Sequence, residues 1–168
     1  MIESMQGNRS SSSDKFLNGL SQSADYVGIG SPVLTLSVGL ISGNKTLKRE
    51  GIGAGIAILG TYGVGYILKK AVDRPRPFVQ YPEFTPAIYK TSGSFPSGST
   101  AIAFTTAANL TMTKPKWYVW VPAYAYASGV AYSRVKLAEH YPTDVLAGAV
   151  LGTASSLVSR KLMKWINK

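Results

Sequence analysis

Five stretches of the chain carry no charged residue: Tyr26 to Ser42, Gly51 to Leu68, Phe95 to Met112, Trp117 to Ser133 and Val145 to Ser159. Between them sit short clusters of Lys, Arg, Pro, Gly and Ser. Each apolar run is near the lower end of the ~17–25 residues that span a bilayer as a helix. The pattern therefore predicts an all-α fold, a bundle of about five apolar helices. Ahead of them, Asp14 to Ala24 places Phe16, Leu17 and Leu20 on one side of a short amphipathic helix, suited to a membrane interface or to capping the bundle. Met1 to Ser13 is polar, contains a four-serine run and has no apolar core of the signal-peptide kind, so it is expected to be a disordered lead. Residues 14–168 are then expected to form a single helical domain.

So many uncharged segments leave little amphipathic surface for water, which favours membrane spans over a buried bundle. A mean hydropathy of only +0.07 keeps a soluble helical bundle as the alternative. With five spans, the raw count of Lys and Arg is nine on each side of the membrane. Six glycines between Gly51 and Gly65 suit close helix packing better than a nucleotide loop, because no strand precedes them. Tyr124, Tyr126, Tyr132, Trp117 and Trp120 suit core and interface positions.

Composition narrows the chemistry. The 168 residues include no Cys and one His, which excludes disulfides, thiolate metal sites and any multi-histidine metal site within the chain. A net charge of +10 favours anionic partners. The cations interrupt apolar helices and form no continuous basic face with interleaved aromatics, so nucleic acid is not the expected partner.

Three of those interruptions carry candidate chemistry. In Lys69-Lys70-Ala71-Val72-Asp73-Arg74-Pro75-Arg76-Pro77, two prolines stop a helix, and Lys69 and Arg76 can converge on one anion across the stop. In Gly93-Ser94-Phe95-Pro96-Ser97-Gly98-Ser99-Thr100, a helix start presents free N–H groups and hydroxyls, a ready anion cradle or a simple N-cap. In Ser133-Arg134 through His140-Tyr141-Pro142-Thr143-Asp144, the lone imidazole lies between a fixed cation and a carboxylate. A carboxylate that keeps one ring nitrogen protonated frees the other to attack phosphorus. Alternating helices bring all three interruptions to one end of the bundle.

Taken together, K-x6-R-P, P-S-G and S-R-x5-H-x3-D resemble the three-part signature of the type 2 phosphatidic acid phosphatase superfamily, over about Gly51 to Arg160. The run from Arg134 to Gly148 is similar to the bacterial membrane branch. The resemblance implies a lipid phosphate or diphosphate phosphohydrolase working through a phosphohistidine, with no metal or cofactor and with a phosphorylated lipid and the membrane as partners. It implies phosphate contacts from Lys69, Arg76, Ser97, Gly98 and Arg134, a nucleophile at His140 and an orienting carboxylate at Asp144. Removing the three implied ligands Lys69, Arg76 and Arg134 from the charge count breaks its tie. The C-terminal tail is then expected in the cytoplasm and the site at the exterior face, that of a bacterial inner membrane. The fourth position of the second motif, a general-acid His in the family, is Ser99 here. Three readings stand: a substrate with a good leaving group, such as a polyprenyl diphosphate; a position altered so that a complex is trapped; or a lipid-phosphate binder without turnover. A vanadium haloperoxidase would use the same cradle, but the absent histidine and the short apolar chain speak against it.

Overall fold

A computed structural model describes residues 11–82, 84 and 89–166. Among the described residues there are five long helices and no strand: α1 (Ser11–Ile41), α2 (Lys45–Val72), α4 (Gly98–Thr113), α5 (Trp117–Lys136) and α6 (Pro142–Ile166). The short α3 (Pro77–Gln80) interrupts the connection from α2 to α4. The expected amphipathic helix is not separate. Asp14 to Ala24 runs without a break into the first apolar stretch, because nothing between them stops a helix; Leu20 and Ala24 pack on the core while Phe16 stays exposed. Ser11 to Ser13, expected in the polar lead, open α1, and the rest of that lead lies outside the described residues.

Helix ends follow the local chemistry. Asn44 caps α2, its side-chain oxygen accepting from the N–H groups of Thr46 and Leu47. At the other end Asp73 takes a left-handed conformation (φ 39°) and donates its N–H to the Lys69 carbonyl, so the chain turns before Pro75.

Helix α4 is the centre of the bundle and packs against α1, α2, α5 and α6. Its residues are small: Thr100, Ala101, Ala103, Thr105, Thr106, Ala107 and Ala108 are buried along with Ile102. Small side chains let neighbouring backbones approach, and hydroxyls then serve as interhelical glue. Thr61 and Thr105 share a hydroxyl hydrogen bond of 2.8 Å, Ser156 donates to the Thr105 carbonyl (3.0 Å), and Ser159 donates to the Gly53 carbonyl (2.6 Å).

The tightest approach is between α4 and α6. A Cβ on Gly152 would stand 2.1 Å from the Ala101 carbonyl oxygen, and one on Gly148 would stand 2.6 Å from that of Ser97. Of the six glycines in α2 expected to serve packing, Gly51 lies against the backbone of Leu36 and Gly53 against Met163. Gly65 makes ordinary contact with Leu151, whereas Gly55, Gly60 and Gly63 face open space, off the packed side of the helix.

The outside of the bundle is apolar. Leu34, Ile41, Leu59, Ile67, Leu146, Val150, Leu157 and Val158 are all exposed. Helix α1 from Ser12, and the stretch Lys45–Gln80, are long and apolar enough to cross a membrane, and only 22% of the apolar window in each is buried. Helix α4, with 16 residues, is about 24 Å long. That is short of a full hydrocarbon core, and α4 is enclosed by its neighbours instead. Tyr124 and Tyr126 pack on the core cluster, while Trp117, Trp120 and Tyr132 are exposed.

The glycine contacts give a contrast that a thermal melt can read. Gly152→Ala should destabilise the protein by about 1–3 kcal/mol, because the new methyl meets backbone that cannot swing away. Gly60→Ala, facing open space in a helix, should be neutral or stabilising by up to about 1 kcal/mol. Equal melting temperatures for the two variants would contradict the packing account.

Candidate active site

The three polar interruptions meet at one end of the bundle. Lys69 stands in the last turn of α2, Arg76 in the extended segment after it, Ser97 to Ser99 at the start of α4, Arg134 near the end of α5, and Asp144 in the first turn of α6. Together with His140 they surround a cavity of about 280 Å³. Lys69, Arg76, Gly98, Ser99 and His140 line it. Ser97, Arg134 and Asp144 stand behind that lining, all essentially inaccessible.

The chain between α5 and α6 wraps around one carbonyl. Both Glu139 N–H and His140 N–H donate to the Arg134 carbonyl, and Ala138 takes a left-handed conformation (φ 55°) to allow it. A non-glycine residue there carries about 1 kcal/mol of strain or more, held by the surrounding contacts. The turn presents the His140 ring to the cavity with both nitrogens engaged. Nδ1 is 2.7 Å from the Ser94 carbonyl, which can only accept. Nε2 is 3.3 Å from Arg76 Nη1, which can only donate. These partners fix the tautomer: Nδ1 carries the proton, and Nε2 holds its lone pair against the Arg76 guanidinium at the cavity wall. Burial, reinforced by the Arg76, Arg134 and Lys69 charges and opposed by Asp144, pulls the imidazole pKa down to about 4. The ring is therefore neutral across the physiological range.

The sequence placed Asp144 as the group holding that proton. Its Oδ2 lies 3.7 Å from His140 Nδ1, beyond hydrogen-bond reach. Both carboxylate oxygens are otherwise occupied: Oδ1 accepts from Arg74 Nη1 (2.9 Å), and Oδ2 accepts from the Tyr141 N–H (3.0 Å). Arg74 also donates to the Thr143 hydroxyl and lies 3.8 Å over the Tyr141 ring. Asp144 thus secures the turn and supplies nearby negative charge, while the Ser94 carbonyl takes the proton's hydrogen bond.

The cations are held by acceptors around the cavity. Lys69 Nζ donates to the carbonyls of Gly93 (2.7 Å) and Pro96 (3.2 Å). Arg76 donates to the carbonyls of Ser92 (2.9 Å) and Glu139 (3.0 Å). Arg134 pairs with Glu139 Oε2 at 2.6 Å and donates through Nη2 to the Ser99 hydroxyl. Ser99 therefore stands between Arg134 and the cavity. Its oxygen accepts from the guanidinium, so its own proton is free for an acceptor in the cavity. The Ser97 hydroxyl pairs with that of Thr100 (2.9 Å), and Gly98 exposes a first-turn N–H that no intrahelical carbonyl can take.

Glu139, Lys90, Arg74 and Ser94 belong to this constellation and were not singled out from the sequence. Glu139 is fully buried, and Lys90 Nζ lies 3.5 Å from the carboxylate oxygen that Arg134 holds. Burial, then the Arg134 charge, lowers the Lys90 pKa from its usual value. Glu139 lies inside the x5 spacer of the third motif. The only available signal was an acid beside the lone histidine. Ser94 acts through its backbone carbonyl, which no residue type announces.

With a single histidine, the tautomer is directly measurable. In histidine-labelled protein near pH 6, nitrogen NMR should show a neutral ring protonated at Nδ1. A free histidine would be mostly charged at about pH 5.5. The depressed native pKa makes stability fall as pH drops from about 6.5 toward about 4, since only the unfolded chain takes up the proton in that window. A doubly protonated ring near pH 6, or one protonated at Nε2, would overturn this geometry.

Comparison with known proteins gives the family. The chain is 34% identical over 116 residues to an undecaprenyl-diphosphatase of Sulfolobus acidocaldarius, covering 68% of this chain and 56% of that protein. It is 27% identical over 129 residues to the undecaprenyl-diphosphatase BcrC of Bacillus subtilis, covering 76% of this chain and 64% of that protein. The match thus spans less than two thirds of either relative's length. The crystal structure of Aquifex aeolicus LpxE superposes with a TM-score of 0.77 at 26% identity, covering 95% of this chain and 92% of that one. The family model for the PAP2 superfamily matches residues 50–168, which contain all three motifs and every residue lining the cavity except Asp25, and on that match the chain belongs to the PAP2 superfamily.

Proposed function

We propose that this protein is a membrane-embedded phosphohydrolase that removes the terminal phosphate of a lipid phosphate or diphosphate through a phosphohistidine on His140. The observation carrying this reading is the neutral His140 ring, its Nε2 lone pair beside Arg76 in a cation-lined cavity. Two relatives named undecaprenyl-diphosphatase support a lipid diphosphate as the substrate class. The exposed apolar belt supports the membrane setting, since a soluble monomer rarely exposes so large an apolar surface. With Lys69, Arg76 and Arg134 set aside as parts of the site, the otherwise tied count of Lys and Arg favours an exterior-facing site.

In this reading the phosphoryl group enters between Lys69, Arg76 and the N–H of Gly98. Cations and N–H donors there stabilise the charge on its oxygens during in-line attack. Arg76 turns its N–H from Nε2 to a phosphoryl oxygen, and the freed Nε2 lone pair forms the bond to phosphorus while the bond to the leaving oxygen breaks. Arg134, with Ser97 behind the wall, acts by holding Ser99 and the start of α4. Asp144 keeps the histidine turn in place and offsets the positive charge that grows on the ring. Water then attacks the phosphohistidine and releases phosphate.

Ser99 shapes the substrate preference. Its hydroxyl donates a hydrogen bond but cannot transfer a proton near neutral pH, and general acid catalysis is worth ~10²–10⁴-fold. A lipid phosphate leaving from a diphosphate needs far less protonation than an alkoxide leaving from a monoester. The purified chain should therefore cleave a polyprenyl diphosphate on the order of 10²-fold faster than the monophosphate of the same lipid. Ser99→His should raise the monophosphate rate, and His140→Ala should abolish both. Equal rates on the two lipids would remove the leaving-group argument. Binding without turnover on either would leave a lipid-phosphate binder in place of an enzyme.

A further inference from the structure

A second cavity, of about 290 Å³, lies at the opposite end of the bundle from His140. It is formed by the first turns of α2, the last turn of α4 and the last turns of α6. Arg49, Arg160 and Lys164 converge on it, with Glu50 as the one acid among its lining residues. Three cations against one carboxylate leave an excess of positive charge in a site with no part in the chemistry described above. The Thr113 hydroxyl beside Glu50 gives its proton to the Asn109 carbonyl (2.9 Å), 3.3 Å from Glu50 Oε2. Glu50 Oε2 lies 3.9 Å from Arg160 Nη1, close enough for charge attraction but too far for a hydrogen bond. Arg160 Nη1 is shielded from solvent and has no hydrogen-bond partner among the described residues. A buried guanidinium nitrogen without an acceptor is costly, and an anionic oxygen in the cavity would satisfy it.

The surroundings indicate where that oxygen comes from. All three tryptophans sit at this end and are exposed: Trp117 and Trp120 in the first turn of α5, and Trp165 beside Lys164. Exposed tryptophans at one end of an apolar bundle mark the level of the lipid headgroups. We propose that this cavity binds the phosphate of an anionic phospholipid from the leaflet opposite the catalytic one, with Arg160, Lys164 and Arg49 as its ligands. The inference rests on the membrane reading given above and is independent of turnover. Basic pockets between helix ends suit such headgroups because charge and hydrogen-bond donors meet the phosphate where the acyl chains can stay in the bilayer.

Native mass spectrometry of the full chain, titrated with phosphatidylglycerol or phosphatidylcholine, tests it. The native protein should hold one phosphatidylglycerol on the order of tenfold more tightly than phosphatidylcholine, a difference within reach of a charge-assisted hydrogen bond. Arg160→Gln combined with Lys164→Gln should erase that preference and leave turnover unchanged. Lys164→Gln alone, at an exposed position, should weaken it and guards against a folding defect in the double variant. Phosphatidylglycerol retained equally by native and variant protein would overturn the proposal. So would inorganic phosphate binding through Arg160 and Lys164 while the lipid does not, since the site would then serve a free anion. Recovery of the chain in water without detergent would remove the membrane reading and this site with it, whereas failed turnover with intact lipid preference would remove only the catalytic reading.

Discussion

The close contact of α6 with α4 sets the geometry of everything at the His140 end of the bundle. Gly148 and Gly152 let the α6 backbone lie against the carbonyls of Ser97 and Ala101. At the top of that contact the Ser97 N–H donates to the Asp144 carbonyl (2.9 Å), joining the second and third motifs through the main chain. The His140 turn enters α6 just before this point, and the segment carrying Ser94 enters α4 just before it on the other side. The imidazole therefore meets the Ser94 carbonyl because two helices are in backbone contact. A side chain at Gly152 would separate them and move His140 relative to Lys69, Arg76 and the start of α4.

Charge balance is the second constraint. Arg76 and Arg134 are buried, and Lys69 is half-buried beside them. Burying like charges together is unfavourable unless each finds acceptors. Here Glu139, fully buried, neutralises Arg134 and approaches Lys90, while main-chain carbonyls of Ser92, Gly93, Pro96 and Glu139 hold Lys69 and Arg76. Carbonyls are weaker partners than carboxylates for a cation. The same arrangement that keeps the cations in place leaves them electrostatically unsatisfied, which suits them to exchange a carbonyl for a phosphate oxygen. The neutral histidine belongs to this balance too, since burial first and the surrounding cations after it disfavour its protonation.

Much of this was legible in the sequence. Uncharged runs gave the helices, because an unbroken apolar stretch must be buried or face lipid. The convergence of Lys69, Arg76, Ser99 and His140 followed from three interruptions alternating to one end. Merging of Asp14 to Ala24 into α1 was not legible, since amphipathic periodicity does not say whether the following turn breaks. Nor was the partner of His140. Spacing brings Asp144 near the ring, but Arg74 and the Tyr141 N–H compete for its oxygens, and the Ser94 carbonyl wins through tertiary contact. Glycine-rich composition likewise marked α2 for close packing, but only a contact partner decides which glycines are needed.

The central claim is that His140 Nε2 attacks phosphorus. The most direct measurement is to quench the protein during turnover of a lipid diphosphate and map the phosphorylated residue by peptide mass spectrometry. The account predicts one acid-labile phosphoryl group on the peptide containing His140, absent when the substrate is omitted. Turnover with phosphate found on another residue, or with no phosphoenzyme under conditions that would trap one, would contradict it.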